Sequence, residues 1–332
     1  MTQRFRVAIT DFLTDDLTPE RSILEDVADV VAFNAFSETD LVGQIDDADA
    51  VMLYHNITLS VATIGRLRNC KLIVRCGVGF DNVDRIFARS RGIPVANVPD
   101  YGTEEVADSA IGMMLSLTRG IHFFDSRLRR GGPYSYTDGA PLFRLRGRVF
   151  GIIGLGRIGT ATALRAKALG MDVAFYDPLK PDGYDKALGV RRVETLPELL
   201  AQSHVVSLHC PLTDETRNII AAEQIAQMPR GSYLVNTARG GCVDVAAIPE
   251  AIRSGQLAGA AIDVLPHEPP PDDHPLLMAW RNPNDPCHDR VIVNPHAAFY
   301  SEEGLRDMRV KGAQACRRAL LGQPLRNVVN HE

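Results

Sequence analysis

Short apolar runs alternate with amphipathic stretches along most of the chain, the pattern of βα repetition. In residues 4–97 the runs RVAIT (6–10), DAVMLY (49–54), KLIVRC (71–76) and IPVAN (93–97) are apolar and partly β-branched. They predict buried parallel strands, with helices starting between them near Pro19, Glu38, Val61 and Val83. Val98-Pro99-Asp100 breaks the pattern. Residues 104–117, EEVADSAIGMMLSL, then predict a long apolar helix that crosses from one domain to the next. Later strands are predicted in residues 149–153, 172–176, 204–210, 232–236, 258–264 and 291–294, and a last helix over 301–321 returns to the first domain.

The most informative stretch is RVFGIIGLGRIGTATALRAKALGMDVAFYD, residues 148–177. A buried strand runs into Gly154, Gly156 and Gly159 in G-x-G-x-x-G spacing. An Ala- and Leu-rich helix follows over 157–169, with Gly170 suited to its C-terminal cap. A second strand ends at Asp177. Gly154 permits a tight turn, Gly156 lets backbone approach a pyrophosphate, and Gly159 lets helix and strand pack closely. The free N–H groups at the helix start, with Arg157 and Ile158, hold phosphates. An acid about 20 residues on accepts from both ribose hydroxyls and repels a 2′-phosphate. The expected cofactor is therefore NAD rather than NADP. The expected fold class is α/β, with two doubly wound parallel-sheet domains. A Rossmann domain (101–294) is inserted in a flavodoxin-like substrate domain (1–100 and 295–332).

Composition narrows the class. The chain has 332 residues, 45% hydrophobic and 23% charged, as in a globular protein of about two domains. A net charge of −5 gives no basic footprint for nucleic acid. No apolar run approaches the roughly 18 residues of a membrane helix, and MTQRFRVAITDF lacks a signal-peptide pattern. The six cysteines form no C-x-x-C, and His267-Glu268 is followed by Pro271 where H-E-x-x-H needs histidine. A cytoplasmic protein without a metal is expected.

Four polar loops follow predicted strands of the nucleotide domain: Pro211-Leu212-Thr213, Thr237-Ala238-Arg239-Gly240, His267-Glu268-Pro269 and Pro295-His296-Ala297. In open parallel sheets, ligands bind beyond that edge. Hydride transfer to a 2-oxo acid needs a proton donor at the carbonyl oxygen and a cation for the carboxylate. His296 suits the first role, because imidazole titrates near operating pH. The planar fork of Arg239 suits the second, and Glu268 suits the orienting acid beside His296. Each also has a plainer reading: a turn histidine, a strand-end cap, a solvated acid.

The blocks CGVGFDNVD (76–84), GIIGLGRIG (151–159), LHCPLTDET (208–216), VNTARGG (235–241), AAIDV (260–264) and NPHAAFYSEE (294–303) resemble the D-isomer-specific 2-hydroxyacid dehydrogenase family over nearly the whole chain. The resemblance implies Arg239 as the substrate-binding arginine and Glu268 with His296 as the acid–histidine pair. It implies Val78 and Gly79 as backbone donors to the substrate carboxylate and Asp263 beside the nicotinamide amide. Thr103, Cys210, Pro211, Thr216, Thr237 and Ala238 join the candidate cofactor contacts. It also implies a homodimer built through the nucleotide domains, with the active site in a cleft between domains.

Within the family, Tyr54-His55-Asn56-Ile57-Thr58-Leu59, Ile73-Val74-Arg75 and the run from His296 to Ser301 resemble the C-terminal binding protein corepressor branch, with Phe299 where that branch carries Trp. Phosphoglycerate-type members carry an Arg in the loop that here reads Tyr54-His55-Asn56, leaving Arg75 as the substitute grip. An apolar or aromatic 2-oxo acid is the expected substrate, with His55 either a substrate contact or a surface-loop histidine. Residues 272–290, with the only tryptophan, Trp280, form a longer connection than the family's, read as a lid, a subunit contact or an inert insertion. Arg127, Arg129 and Arg130 read as a solvated helix end or a subunit contact. The competing function is an NAD(H)-responsive scaffold with little turnover. Against it, the corepressors carry a long disordered C-terminal extension, whereas this sequence stops at Glu332.

Overall fold

The computed structural model describes residues 4–139 and 141–331. It divides into two compact units, Met1–Gly102 with Ser301–Glu332, and Thr103–Tyr300. Among the described residues the first unit carries a five-stranded parallel sheet. Its strands are β1 (Phe5–Ile9), β2 (Ala28–Ala32), β3 (Ala50–Leu53), β4 (Ile73–Arg75) and β5 (Val95–Asn97), in the order β2-β1-β3-β4-β5. β3, β4 and β5 are buried along their whole length, as apolar runs covered on both faces should be. β2, ADVVA, was not expected: it is an edge strand with alternating burial and an acid in its second position, so it lacks a continuous apolar run. The helix Glu302–Leu320 closes this unit against the helix Thr18–Leu24. There Arg309 grips Asp15 and the fully buried Glu20, at 2.5 and 2.6 Å.

The second unit carries a seven-stranded parallel sheet among the described residues. Its strands are β6 (Val149–Ile153), β7 (Asp172–Tyr176), β8 (Arg191–Arg192), β9 (Val205–Leu208), β10 (Ser232–Asn236), β11 (Leu257–Ile262) and β12 (Val291–Val293). They run β12-β11-β10-β9-β6-β7-β8. β6 pairs with β7 (Ile152↔Phe175) and with β9 (Ile152↔Ser207), so the chain order reverses between β6 and β9. β8, two arginines at the sheet edge, has no apolar pattern to announce it. The helix Thr103–Thr118 buries Val106, Ala110, Met113, Met114 and Leu117, packing on the helix Arg157–Ala168 and on β10.

Three readings change. The long helix does not cross between units: the break falls at Gly102/Thr103, and the helix belongs to the second. The return break falls at Tyr300/Ser301 rather than after residue 294. The reason is that His296, Ala297 and Ala298 are hydrogen-bonded to Asp263, inside the second unit. Residues 272–290 are not a loose insertion. They form helices Pro275–Arg281 and Cys287–Arg290, and Leu276, Leu277, Ala279 and Cys287 join the core of the second unit. Arg253 and Asp285 pin the segment at 2.5 Å. The basic stretch is paired within its unit, Arg127 with Asp138, Arg129 with Asp125 and Arg130 with Asp289.

Candidate active site and cofactor turn

The glycine turn leaves β6 at the reversal of strand order, where doubly wound sheets bind nucleotides. Gly154 has φ +88, and a Cβ there would lie 2.7 Å from the Cys210 nitrogen, so the loops after β6 and β9 meet backbone to backbone. A Cβ on Gly159 would lie 2.2 Å from the Gly154 carbonyl oxygen, which fixes glycine where helix and turn touch. A Cβ on Gly156 would meet no protein atom within 4 Å, which leaves that face of the backbone open to a ligand. Gly156 opens the helix Arg157–Ala168, so Ile158 and its neighbours aim N–H groups and the positive dipole end towards that face. Asp177 follows β7 and accepts the Leu155 N–H at 2.8 Å and the Leu179 N–H at 3.0 Å. A carboxylate has about four acceptor positions, so it stays able to accept from a ribose. The set fits a dinucleotide. A buried hydroxyl, Thr237 Oγ1, that has no hydrogen-bond partner in the protein adds to the fit.

Cys210, Pro211 and Thr216 sit on the same carboxyl edge, in the loop after β9. Cys210 is buried, and its thiol is pushed up by a hydrogen bond with Cys242 and by burial. Thr216 donates to the Pro211 carbonyl at 2.6 Å and accepts the Thr213 N–H at 2.7 Å, which shapes the loop after β9. His209, beside them, is pushed down to about 3 by burial and is neutral. Thr103 opens its helix, with Glu104 and Glu105 in the first turn.

The three chemical candidates follow three neighbouring strands: Arg239 after β10, Glu268 after β11 and His296 after β12. Their loops are built by buried polar groups. Asn236, fully buried at the end of β10, donates from Nδ2 to the Arg239 carbonyl at 2.9 Å and accepts the Ala238 N–H at 3.0 Å. Gly240 follows because a Cβ there would lie 2.0 Å from the Leu265 carbonyl carbon. Asp263, 1% exposed, accepts the Ala297 and Ala298 N–H groups at 2.9 and 3.0 Å, and its carbonyl takes the His296 N–H at 2.8 Å. His296 is thereby held at φ +54, which non-glycine residues rarely adopt. Burial pushes the Asp263 carboxyl up, against the N–H groups and the His296 charge.

His296 Nδ1 lies 2.7 Å from Glu268 Oε2, and Glu268 Oε1 accepts the Leu265 N–H at 2.8 Å. Burial alone would raise the Glu268 carboxyl. The His296 hydrogen bond and charge, the Leu265 N–H and the Arg239 charge outweigh it and hold the carboxyl below its ordinary value. Phe299 meets the His296 ring edge-on at 6.0 Å. With Nδ1 facing the carboxylate, Nε2 lies on the side of the ring turned away from Glu268. Among the described residues, no group of three His, Cys, Asp or Glu side chains could hold a metal, and no helix is long and apolar enough to cross a membrane.

The first unit carries the remaining candidates. Arg75 is 7% exposed and folds under Gly77, with Nη1 3.3 Å from the Cys76 carbonyl. Val78 and Gly79 are half-buried, and Asn97 Nδ2 holds the Val78 carbonyl at 2.7 Å. His55 is half-buried beside Phe12. Asn236 and Asp11 escape sequence reasoning, since a buried polar residue declares its partners only in the fold.

Residues 111–298 match the family described as D-isomer specific 2-hydroxyacid dehydrogenase, NAD binding domain. The chain belongs to that family. NAD is its cofactor. C-terminal-binding protein 1 of Caenorhabditis elegans is 36% identical over 326 residues, covering 96% of this chain and 44% of that protein. D-3-phosphoglycerate dehydrogenase of Methanocaldococcus jannaschii is also 36% identical over 326 residues, covering 98% and 59%. The chain thus spans about half the length of the curated relatives it matches. Among solved structures, D-lactate dehydrogenase from Aquifex aeolicus, complexed with NAD and lactic acid, is similar at a TM-score of 0.85 and 28% identity, covering 95% of this chain and 96% of that one.

Proposed function

We propose that the chain is an NAD-dependent oxidoreductase that interconverts a 2-oxo acid and a D-2-hydroxy acid. The observation that carries this is the 2.7 Å pairing of His296 with Glu268, with the Arg239 charge acting on the same carboxylate. When bound, the cofactor supplies or accepts the hydride at C2. His296 Nε2 delivers a proton to the carbonyl oxygen in reduction and removes it in oxidation. Glu268 fixes the ring and stabilises the imidazolium. Arg239 holds the substrate carboxylate, with Val78 and Gly79 as backbone donors and Arg75, His55 and Phe299 as further substrate contacts. Asp177 receives the ribose hydroxyls, and the functional unit is a homodimer.

The test is NADH oxidation by the purified protein against glyoxylate, hydroxypyruvate, phosphohydroxypyruvate and phenylpyruvate, with His296→Gln as control. Turnover that the variant loses supports the proposal; turnover that survives in the variant removes His296 from the chemistry. The likeness to C-terminal-binding protein 1 favours a second reading, an NAD(H)-responsive scaffold with little turnover. NADH binding without turnover on any of the four acids would support that one.

A further inference from the structure

The helix Thr103–Thr118 turns one face to the core of the second unit, through Val106, Ala110, Met113 and Leu117. Ser109 stands on that face, spaced one turn from Val106 and from Met113, and is half-buried. A serine or threonine inside a helix often bonds back to the carbonyl one turn earlier. Thr118 does so to Met114 at 2.8 Å, and Thr162 to Ile158 at 2.9 Å. Ser109 instead donates its hydroxyl to the Ala298 carbonyl at 3.0 Å, 189 residues away in sequence.

Ala298 belongs to the loop that carries His296. It is buried, so its carbonyl needs a partner inside the protein. Asp263, just after β11, takes the N–H groups of Ala297 and Ala298 on its carboxylate and that of His296 on its carbonyl. The loop is thus held through N–H groups by the sheet edge and through a C=O by the helix. His296 itself stands at φ +54, and such backbone persists where its surroundings fix it.

The helix is anchored in turn. It packs on the helix Arg157–Ala168, which opens at the glycine turn. Arg165 of that helix reaches Glu104 and Asp108 at 2.7 and 2.6 Å, and Asp108 adjoins Ser109. Ser109 therefore ties the layer behind the glycine turn to the His296 loop, all within the second unit.

We propose that Ser109 is a positioning residue for proton transfer: by fixing the Ala298 carbonyl, it sets the place of the His296 ring relative to the glycine turn. This rests on the reading of His296 as the proton donor, given above. A small displacement of the ring slows the proton step, and cofactor binding, which uses other groups, is untouched.

The test compares Ser109→Ala, which removes the hydroxyl, with Ser109→Thr, which keeps it. With the 2-oxo acid that the wild type turns over fastest, Ser109→Ala should lower kcat by about 3- to 10-fold. The KM for NADH should stay within about 2-fold of the wild type, less than the smallest loss expected in kcat. The solvent deuterium isotope effect on kcat should rise, because proton transfer then limits turnover more, and Ser109→Thr should restore both. An unmoved kcat or isotope effect in Ser109→Ala, a KM for NADH that rises as far as kcat falls, or an equal loss in Ser109→Thr overturns the proposal. If the wild type turns over no 2-oxo acid, the functional reading has failed, and amide hydrogen exchange decides whether Ser109 holds the loop. Exchange at Ala297 and Ala298 that is about 3-fold or more faster in Ser109→Ala, with the β6 amides unchanged, sustains the tie. Equal exchange in the two proteins, or a rise shared by the β6 amides, overturns it.

Discussion

Replacing Glu268 with Gln keeps the side chain's shape and removes its charge. The amide oxygen can still accept the Leu265 N–H, but an NH2 group then faces His296 Nδ1, donor against donor. The imidazolium loses a partner that lies 2.7 Å away. A hydrogen bond to a charged group contributes about 1.5–3 kcal/mol. The two side chains are 27% and 35% exposed, so solvent screens part of that, and the lower half of the range applies. About 1.5–2 kcal/mol corresponds to roughly 10- to 30-fold in rate. The expected result is therefore a fall of that size in kcat for 2-oxo acid reduction, with KM little changed under the proposal that Arg239 binds the carboxylate. The pH profile adds a signed test. Glu268 is held below its ordinary value, so its contribution is present above the usual carboxylate range and is lost only as pH falls through the lowered value. The wild type should keep the Glu268 carboxylate charged into that acid range, and the variant should show no titration there. Steady-state NADH oxidation between acid and neutral pH measures both. A variant within roughly 2-fold of wild-type kcat would refute the pairing, since the smallest expected effect is larger.

Three other outcomes follow from the fold. Asp177→Ser should lower kcat/KM for NADH by about 10-fold or more relative to NADPH; an unmoved ratio would take Asp177 out of the ribose role. Leu276→Ala, at a fully buried site in the 272–290 segment, should destabilise the second unit by about 2–5 kcal/mol. Urea unfolding followed by Trp280 fluorescence reads this, and a loss under about 0.5 kcal/mol would mean the segment is surface after all. Arg309→Met leaves Glu20 buried without its cation and should destabilise the first unit by about 3–5 kcal/mol, with part regained on adding Glu20→Gln. No recovery in the double variant would assign the loss to packing.

The parts legible in the sequence are those whose physics is local. Val149–Ile153 and Asp172–Tyr176 are read to the residue because a buried strand is a bounded apolar run, and the glycines between them because turns and close approach need missing side chains. Ala28–Ala32 and Arg191–Arg192 escape because edge strands keep one face in water. Arg239, Glu268 and His296 are visible as polar loops after apolar strands, and the structure brings Glu268 and His296 together. Asn236 and Asp263, which build those loops, look in sequence like any strand-end polar residue. The 272–290 segment misleads because its Pro- and Asp-rich composition suggests a loop, while Leu276, Leu277 and Cys287 bury themselves in the core. The domain break misleads for a related reason: the hydrogen bonds that keep His296 in the second unit come from Asp263, far away in sequence.

The most direct test of the central claim follows the hydride itself. NADH carrying deuterium at the transferable C4 position would be incubated with the protein and a 2-oxo acid that it turns over, and the product examined by NMR and chiral chromatography. Direct hydride transfer with His296 as the acid puts deuterium at C2 of a D-configured 2-hydroxy acid, formed by the wild type and lost with His296→Gln. An L-configured product, a product without deuterium, or equal formation by the variant would contradict it.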